Sequence, residues 1–418
     1  MLKKAYILFL CAGLLFSCNN DDDLVAACEL VTNVSSSAIT NNSATITWTD
    51  TNNSGSYLIE YGISGFIMGT GTSVSSTQTS IELTGLSPFT TYDVYVQNIC
   101  STDNISMYTD VHSFTTLAPD VIPQYFQNLS QLNLFTGDLA DLNVTPYAFE
   151  YDLNTRLYSD YAHKQRFIVL PEGEKLTYNG EGLPLFPDNS LIAKTFYYNN
   201  DERDLSLGRK IIETRVLIKI DGSWVTGDYK WNDAQTEAVL DPDGSIVPVT
   251  WIDAEGESNT IDYQIPSDND CFTCHRTGTE RTPIGPKMRT MNFSVNGTNQ
   301  LQQLIDNNLI DGLTDPNTVS VLPKWDDATN YTLEERARAY FDINCAHCHI
   351  EGAFCEFQST LRLDYERSME DSNIANRRNS IINRISTYNQ GFSMPLTGTT
   401  IIHEEGVELL LEYLNTLE

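Results

Sequence analysis

The chain has 418 residues, with 25 Lys and Arg against 56 Asp and Glu, a formal net charge of −31, and 10% aromatic residues. So acidic a composition excludes nucleic acid as a partner, because neutralising phosphates takes clustered Lys and Arg; it suits either docking of a basic redox partner or solubility alone. Length and aromatic content suit a globular protein of about three domains.

Lys3 and Lys4 precede an apolar run from Ala5 to Phe16, which is too short to span a bilayer and has the form of a secretory signal. The run ends at Leu15-Phe16-Ser17-Cys18, which resembles a bacterial lipobox. That resemblance implies a signal peptide over 1–17, cleavage before Cys18 and lipidation of Cys18, so that the protein is held to a membrane by lipid chains. The stretch 18–27 carries Asn19-Asn20-Asp21-Asp22-Asp23 and reads as a solvated acidic tether. It also resembles the acidic sorting signal of lipoproteins of Bacteroidetes-type bacteria. The expected location is the outer membrane, on its periplasmic side or at the cell surface.

Residues 28–117 alternate apolar and polar positions in short runs parted by Asn, Ser, Gly and Thr, the pattern of an antiparallel sandwich. Ala44-Thr45-Ile46-Thr47-Trp48 reads as an inner strand with a core Trp. The stretch from Leu86 to Val96 resembles the tyrosine-corner segment of fibronectin type III domains, which implies an all-β sandwich acting as a spacer or adhesive module. Cys28 and Cys100 are placed to pair across this module in an oxidising compartment, with two buried free thiols as the alternative.

Ala118-Pro119-Asp120 and Pro123 mark a linker to a β-rich body over 121–265. Lys194–Tyr198, Thr214–Ile220, Trp224–Trp231 and Val247–Ile252 read as strands, with a two-residue turn at Asp221-Gly222. This body holds no nucleophile elbow, phosphate loop or metal-spaced cluster.

Two pentapeptides follow: Cys271-Phe272-Thr273-Cys274-His275 and Cys345-Ala346-His347-Cys348-His349. With 9 Cys and 6 His in the chain, the number of such matches expected by chance is roughly 0.003, so the pair is no accident. Cysteines three apart on a helical turn share a face and reach one porphyrin edge as thioethers, and the following His binds the iron. The expected cofactors are two haem c groups, with His275 and His349 as proximal ligands. Zinc is the competing reading, and it would need the four cysteines as one tetrahedral site with the two histidines left over.

The segment 266–330 carries the first motif, and 331–418 the second. Asn299–Asn308, Leu333–Asn344, Asn373–Ser386 and Glu404–Leu417 read as helices, with Thr332 and Glu335 as a capping box. Helix order and the Met394-Pro395 pair, 45 residues beyond His349, are similar to a class I cytochrome c domain, which implies an all-α haem-bearing region and Met394 as distal ligand of the second haem. For the first haem, Met288, Met291, His163 and an open site are alternatives. Cys355 reads as an inert thiol.

Tyr151–Ile168, Phe186-Pro187-Asp188, Lys194-Thr195-Phe196 and Glu213-Thr214-Arg215, together with both motifs, resemble a largely uncharacterised bacterial family of exported dihaem c-type cytochromes over about 300 residues. The resemblance implies electron transfer through two covalently bound haems beside a β domain, with the sandwich as an addition. Six-coordinate irons make the protein a relay between redox partner proteins. An open first iron would make it a haem oxidoreductase of the dihaem-peroxidase kind. A surface-binding lipoprotein with accessory haems is a third reading.

Overall fold

Alternating side chains over Ser43–Thr49 bury Ala44, Ile46 and Trp48 and turn Thr45 and Thr47 outward, so this strand can cover a core with one face only. The computed structural model containing it describes residues 27–417; Cys18, the proposed signal and nearly all of the acidic tether lie outside them. The first unit ends at Leu117 and is an antiparallel sandwich. One sheet orders β1 (Thr32–Ser37), β2 (Ser43–Thr49) and β5 (Ser80–Thr84). The other joins β3 (Tyr57–Ile63), β4 (Thr72–Ser76), β6 (Thr91–Ser101), β7 (Asn104–Tyr108) and β8 (His112–Thr115). Trp48 meets Tyr57 edge-on at 5.1 Å in the core. The Tyr92 hydroxyl accepts the Ser87 N–H at 2.9 Å, which makes the tyrosine corner. Cys28 and Cys100 are joined as a disulfide with Cα atoms 5.8 Å apart.

The second unit begins at Ala118. Its centre is a six-stranded antiparallel sheet of β9 (Ala148–Glu150), β10 (His163–Val169), β12 (Leu191–Asn199), β13 (Arg209–Ile220), β14 (Ser223–Trp231) and β15 (Ala238–Leu240), in the order β15-β14-β13-β12-β10-β9. The short β11 (Leu176–Thr177) pairs in parallel with Ile310–Asp311, and β16 (Ser245–Ile252) with β17 (Ser258–Ile265) makes a separate hairpin. Asp221 and Gly222, both at positive φ (50° and 84°), turn β13 into β14 as a two-residue loop requires.

Because strand neighbours face opposite sides, the sheet builds two cores. Phe167, Leu191 and Val216 point to one, with Leu129 and Tyr229; Ile168, Ile192 and Leu217 point to the other, with Met288, Leu301 and Ile343. The second core therefore draws on all three stretches expected as modules, 121–265, 266–330 and 331–418, and the structure folds them as one unit.

Among the described residues seven α-helices follow the sheet: α1 (Asp268–Cys274), α2 (Met288–Met291), α3 (Gln300–Asp306), α4 (Leu333–Asn344), α5 (Met369–Ser372), α6 (Ile374–Ile385) and α7 (Glu404–Thr416). Phe341, Ile381, Leu410 and Leu414 close a third core among α4, α6 and α7. The expectation of an all-α region carrying both motifs is corrected for the first of them. Between α1 and α3 lie two-residue β pairs at Arg276–Thr277 with Glu280–Arg281 and at Ser294–Val295 with Thr298–Asn299, and α1 packs on β14. No helix among the described residues is long and apolar enough to cross a membrane.

Candidate cofactor site

The first pentapeptide occupies α1. Ser267 caps it, exchanging hydrogen bonds with Asp270, and the helix ends at His275, so Cys271 and Cys274 lie one turn apart. His275 Nδ1 is 2.8 Å from the Thr282 carbonyl oxygen. A carbonyl only accepts, so Nδ1 carries the proton and Nε2 keeps its lone pair, the arrangement in which imidazoles bind metals. Burial, with Lys194 nearby, pushes His275 down to about 4, so the ring is neutral at pH 7. The Cys271 sulfur lies 3.8 Å from Asp228 Oδ2, and burial beside that carboxylate raises its thiol to about 12.

The second pentapeptide follows α4 directly. Cys348 and His349 both donate their N–H groups to the Cys345 carbonyl at 3.1 Å, which winds the motif into one turn. His349 is buried and pushed down to about 4 by that burial. A cavity of about 450 Å³ opens here, and Cys345, Cys348, His349 and Met394 all line it. Phe341, Leu363, Ile381 and Ile385 supply apolar walls, and Arg377 and Arg384 stand on α6 at its edge. The Met394 N–H donates to the Arg384 carbonyl at 2.9 Å, which ties the methionine loop to α6. The volume lies within the roughly 300–1,000 Å³ of sites that enclose a cofactor. The donor set and the room here both fit a haem.

The two motifs touch. One ligand atom each from Cys274, His347 and Cys348 lies within 4.8 Å of the others. A hydrogen bond between the free thiols of Cys348 and Cys274 holds Cys274 below and Cys348 above the ordinary thiol range. A four-cysteine zinc site does not form, since Cys271 faces Asp228 and Cys345 lies outside the cluster. The cavity beside His275 measures only about 60 Å³, and Asn344, His347, Pro395 and Thr397 line it and the larger one, forming the wall between them. The first donor set has the residue types of a haem c site, but a cavity of this size does not hold a haem.

The residues expected as distal ligands of the first haem are placed elsewhere, and this is a correction. Met288 and Met291 are fully buried in the apolar core with Leu153 and Ile343. His163 is 2.7 Å from Glu202 and stacks on Tyr197, an ordinary structural histidine. None of the three lines the cavity beside His275. Cys355 lines the larger cavity, and burial raises its thiol.

Reading of the sequence missed a row of charge. Lys194, Arg215 and Asp228 sit directly opposite one another on β12, β13 and β14, and all three line the cavity beside His275. Burial, with Arg215 beside it, pushes Lys194 down to about 7, while Arg215 bonds to Glu213 at 2.6 Å. The available signal was a charged residue inside each of three apolar strand runs, where a solvated face would not be expected.

Residues 30–115 match the fibronectin type III domain family. Among solved structures the chain is similar to a computationally redesigned β-sandwich protein (25% identity, 21% of this chain, 95% of that one, TM-score 0.19). It is also similar to the FN5 domain of Drosophila Lar (16%, 22% and 97%, TM-score 0.19) and to the fn3 domain of human contactin 1 (19%, 23% and 82%, TM-score 0.20). No curated protein matches the chain. It is a multidomain, β-rich protein with a fibronectin type III sandwich near its N-terminus.

Proposed function

We propose that this protein is an exported dihaem c-type cytochrome, lipid-anchored at Cys18 outside the cytoplasm, that passes electrons between redox partner proteins. One observation carries the reading: the cavity of about 450 Å³ gathers Cys345, Cys348, His349 and Met394, which would supply two thioether attachments and two iron ligands to one macrocycle. The region 331–418 then acts as a class I cytochrome c-like domain, and 266–330 as the first haem-binding segment against the sheet.

Each haem, when bound, supplies a one-electron iron couple. The protein's own part is positional and electrostatic. The Thr282 carbonyl orients His275 by accepting a hydrogen bond from its Nδ1–H, and the hydrogen bond from Met394 N–H to the Arg384 carbonyl holds the loop that would present the thioether. Arg377 and Arg384 at the larger cavity would provide positive charge for the acidic groups that a haem carries. The excess of 31 negative charges favours partners with basic docking faces.

Intact mass spectrometry of protein matured in a host that attaches haem c tests this. Two macrocycles per chain are expected, falling to one when Cys345 and Cys348 are both changed to Ala. A wild-type chain without added mass would end the proposal.

A further inference from the structure

We infer that, in the haem-free chain, Cys274, His347 and Cys348 bind one zinc ion between the two motifs. The inference goes beyond the dihaem reading. It concerns the closed arrangement, whose cavity of about 60 Å³ beside His275 is too small for a haem.

One ligand atom each from Cys274, His347 and Cys348 lies within 4.8 Å of the others, one residue from the first motif and two from the second. Two sulfurs and a nitrogen on one tetrahedral zinc stand roughly 3.5–3.8 Å apart, so the triplet needs to close by about 1 Å at most. Thiolate and imidazole suit zinc, and no carboxylate belongs to the triplet. On binding, the ion displaces one proton from each thiol to solvent, and the two thiolates cancel its charge. A neutral centre then stands in the half-buried wall between the cavities.

Three placements support this site. Thr397 Oγ1 is 3.5 Å from the Cys274 sulfur, placed to donate to it as a thiolate. His347 Nδ1 is buried without a hydrogen-bond partner, so no bond through that atom fixes the ring, a state that buried polar atoms rarely keep unless a ligand engages the group. All three side chains line the larger cavity, which gives the ion its entry and leaves room for a water in the fourth position. The cysteine pair within either motif is not so placed, since Cys271 lies 3.8 Å from Asp228 and Cys345 stands outside the cluster. A sulfur cannot be a zinc thiolate and a haem thioether at once, so haem attachment at either motif abolishes the site.

The test uses the full chain, haem-free and reduced, titrated with Zn²⁺ against a chromophoric chelator and with Co²⁺ as a spectroscopic substitute. One ion per chain is expected, with the thiolate-to-cobalt absorption of a two-sulfur centre. Cys274→Ser, Cys348→Ser and His347→Ala should each weaken zinc by more than about 100-fold, beyond what the loss of a ligand's neighbour costs. Cys271→Ser and Cys345→Ser should leave zinc affinity unchanged, and an equal loss in either would overturn the site. So would a wild-type chain that takes up no ion, or a cobalt spectrum of four sulfurs, measurements that stand even if a variant does not fold. Neither result touches the dihaem reading, which is decided by the mass of protein matured with haem.

Discussion

The Asp160 carboxylate accepts both the N–H and the hydroxyl of Thr400, each at 2.8 Å, and reaches the Ile401 N–H at 3.3 Å. Asp160 is buried and held at positive φ by the turn before β10, so the sheet grips the loop that carries Met394 at its far end, while the Arg384 carbonyl grips it at the near end. Asp160→Ala would leave two N–H groups and a hydroxyl without a partner, at a cost of about 2 kcal/mol. Thermal loss of the histidine–methionine absorption in the haem-loaded protein should come at lower temperature than in wild type. An unchanged transition would show that the loop holds its place without this clamp.

Met394 itself is expected to set the potential of the second haem, because a thioether opposite His stabilises the reduced iron. In Met394→Ala that potential should fall by more than about 59 mV, the one-electron equivalent of a tenfold change in equilibrium. Potentiometric titration with optical detection reads it, and the first haem should titrate as before. Two unchanged potentials would remove Met394 from the ligand set.

Asp342 on α4 is fully buried between Lys287 at 3.0 Å and Arg289 at 2.8 Å, and accepts the Tyr365 N–H at 3.1 Å. It thereby pins the segment after the first motif to the helix that carries the second. Asp342→Asn removes the charge that Lys287 and the buried Arg289 share, and should destabilise the second unit by about 3 kcal/mol, the low end for a broken buried pair because Glu366 still opposes Arg289. Chemical denaturation of the haem-loaded protein measures this, and a loss under about 1 kcal/mol would mean that solvent reaches the pair.

The most local features were legible because their causes are local. Thr332 and Glu335 cap α4 as their spacing requires, α4 spans Leu333–Asn344 as its apolar pattern predicts, and α6 and α7 lie within a residue or so of their expected ends. Asp221-Gly222 makes its turn for the same reason. What failed depends on partners distant in sequence, although the Cys28–Cys100 disulfide, 72 positions apart, was legible from its two ends. Met288 and Met291 look like ligands when judged by closeness to His275, but a four-residue helix turns both into the core that Leu301 and Ile343 complete. The ladder of Lys194, Arg215 and Asp228 exists only once three strands are in register, and the meeting of Cys274 with Cys348 joins residues 74 positions apart.

His403 gives a pH dependence whose sign follows from its surroundings. Its ring stacks on Tyr158 at 4.3 Å, its Nδ1 accepts the Tyr340 hydroxyl at 2.9 Å, and burial pushes it down to about 4 although Glu405, 3.6 Å away, favours the charged ring. Burial wins because the side chain is only 13% exposed while Glu405 is largely in water. The folded state therefore binds its proton later than the unfolded chain does at about 6.5. The stability this supplies is complete above pH 6.5 and is lost as pH falls from 6.5 towards 4, by about 3 kcal/mol in all, the opposing pull of Glu405 being already contained in the value of about 4. His403→Gln keeps an acceptor for Tyr340 and cannot titrate, so urea midpoints of wild type and variant should diverge between pH 7 and 4.5, with wild type losing more. Parallel curves would show that His403 takes up its proton inside the fold without penalty.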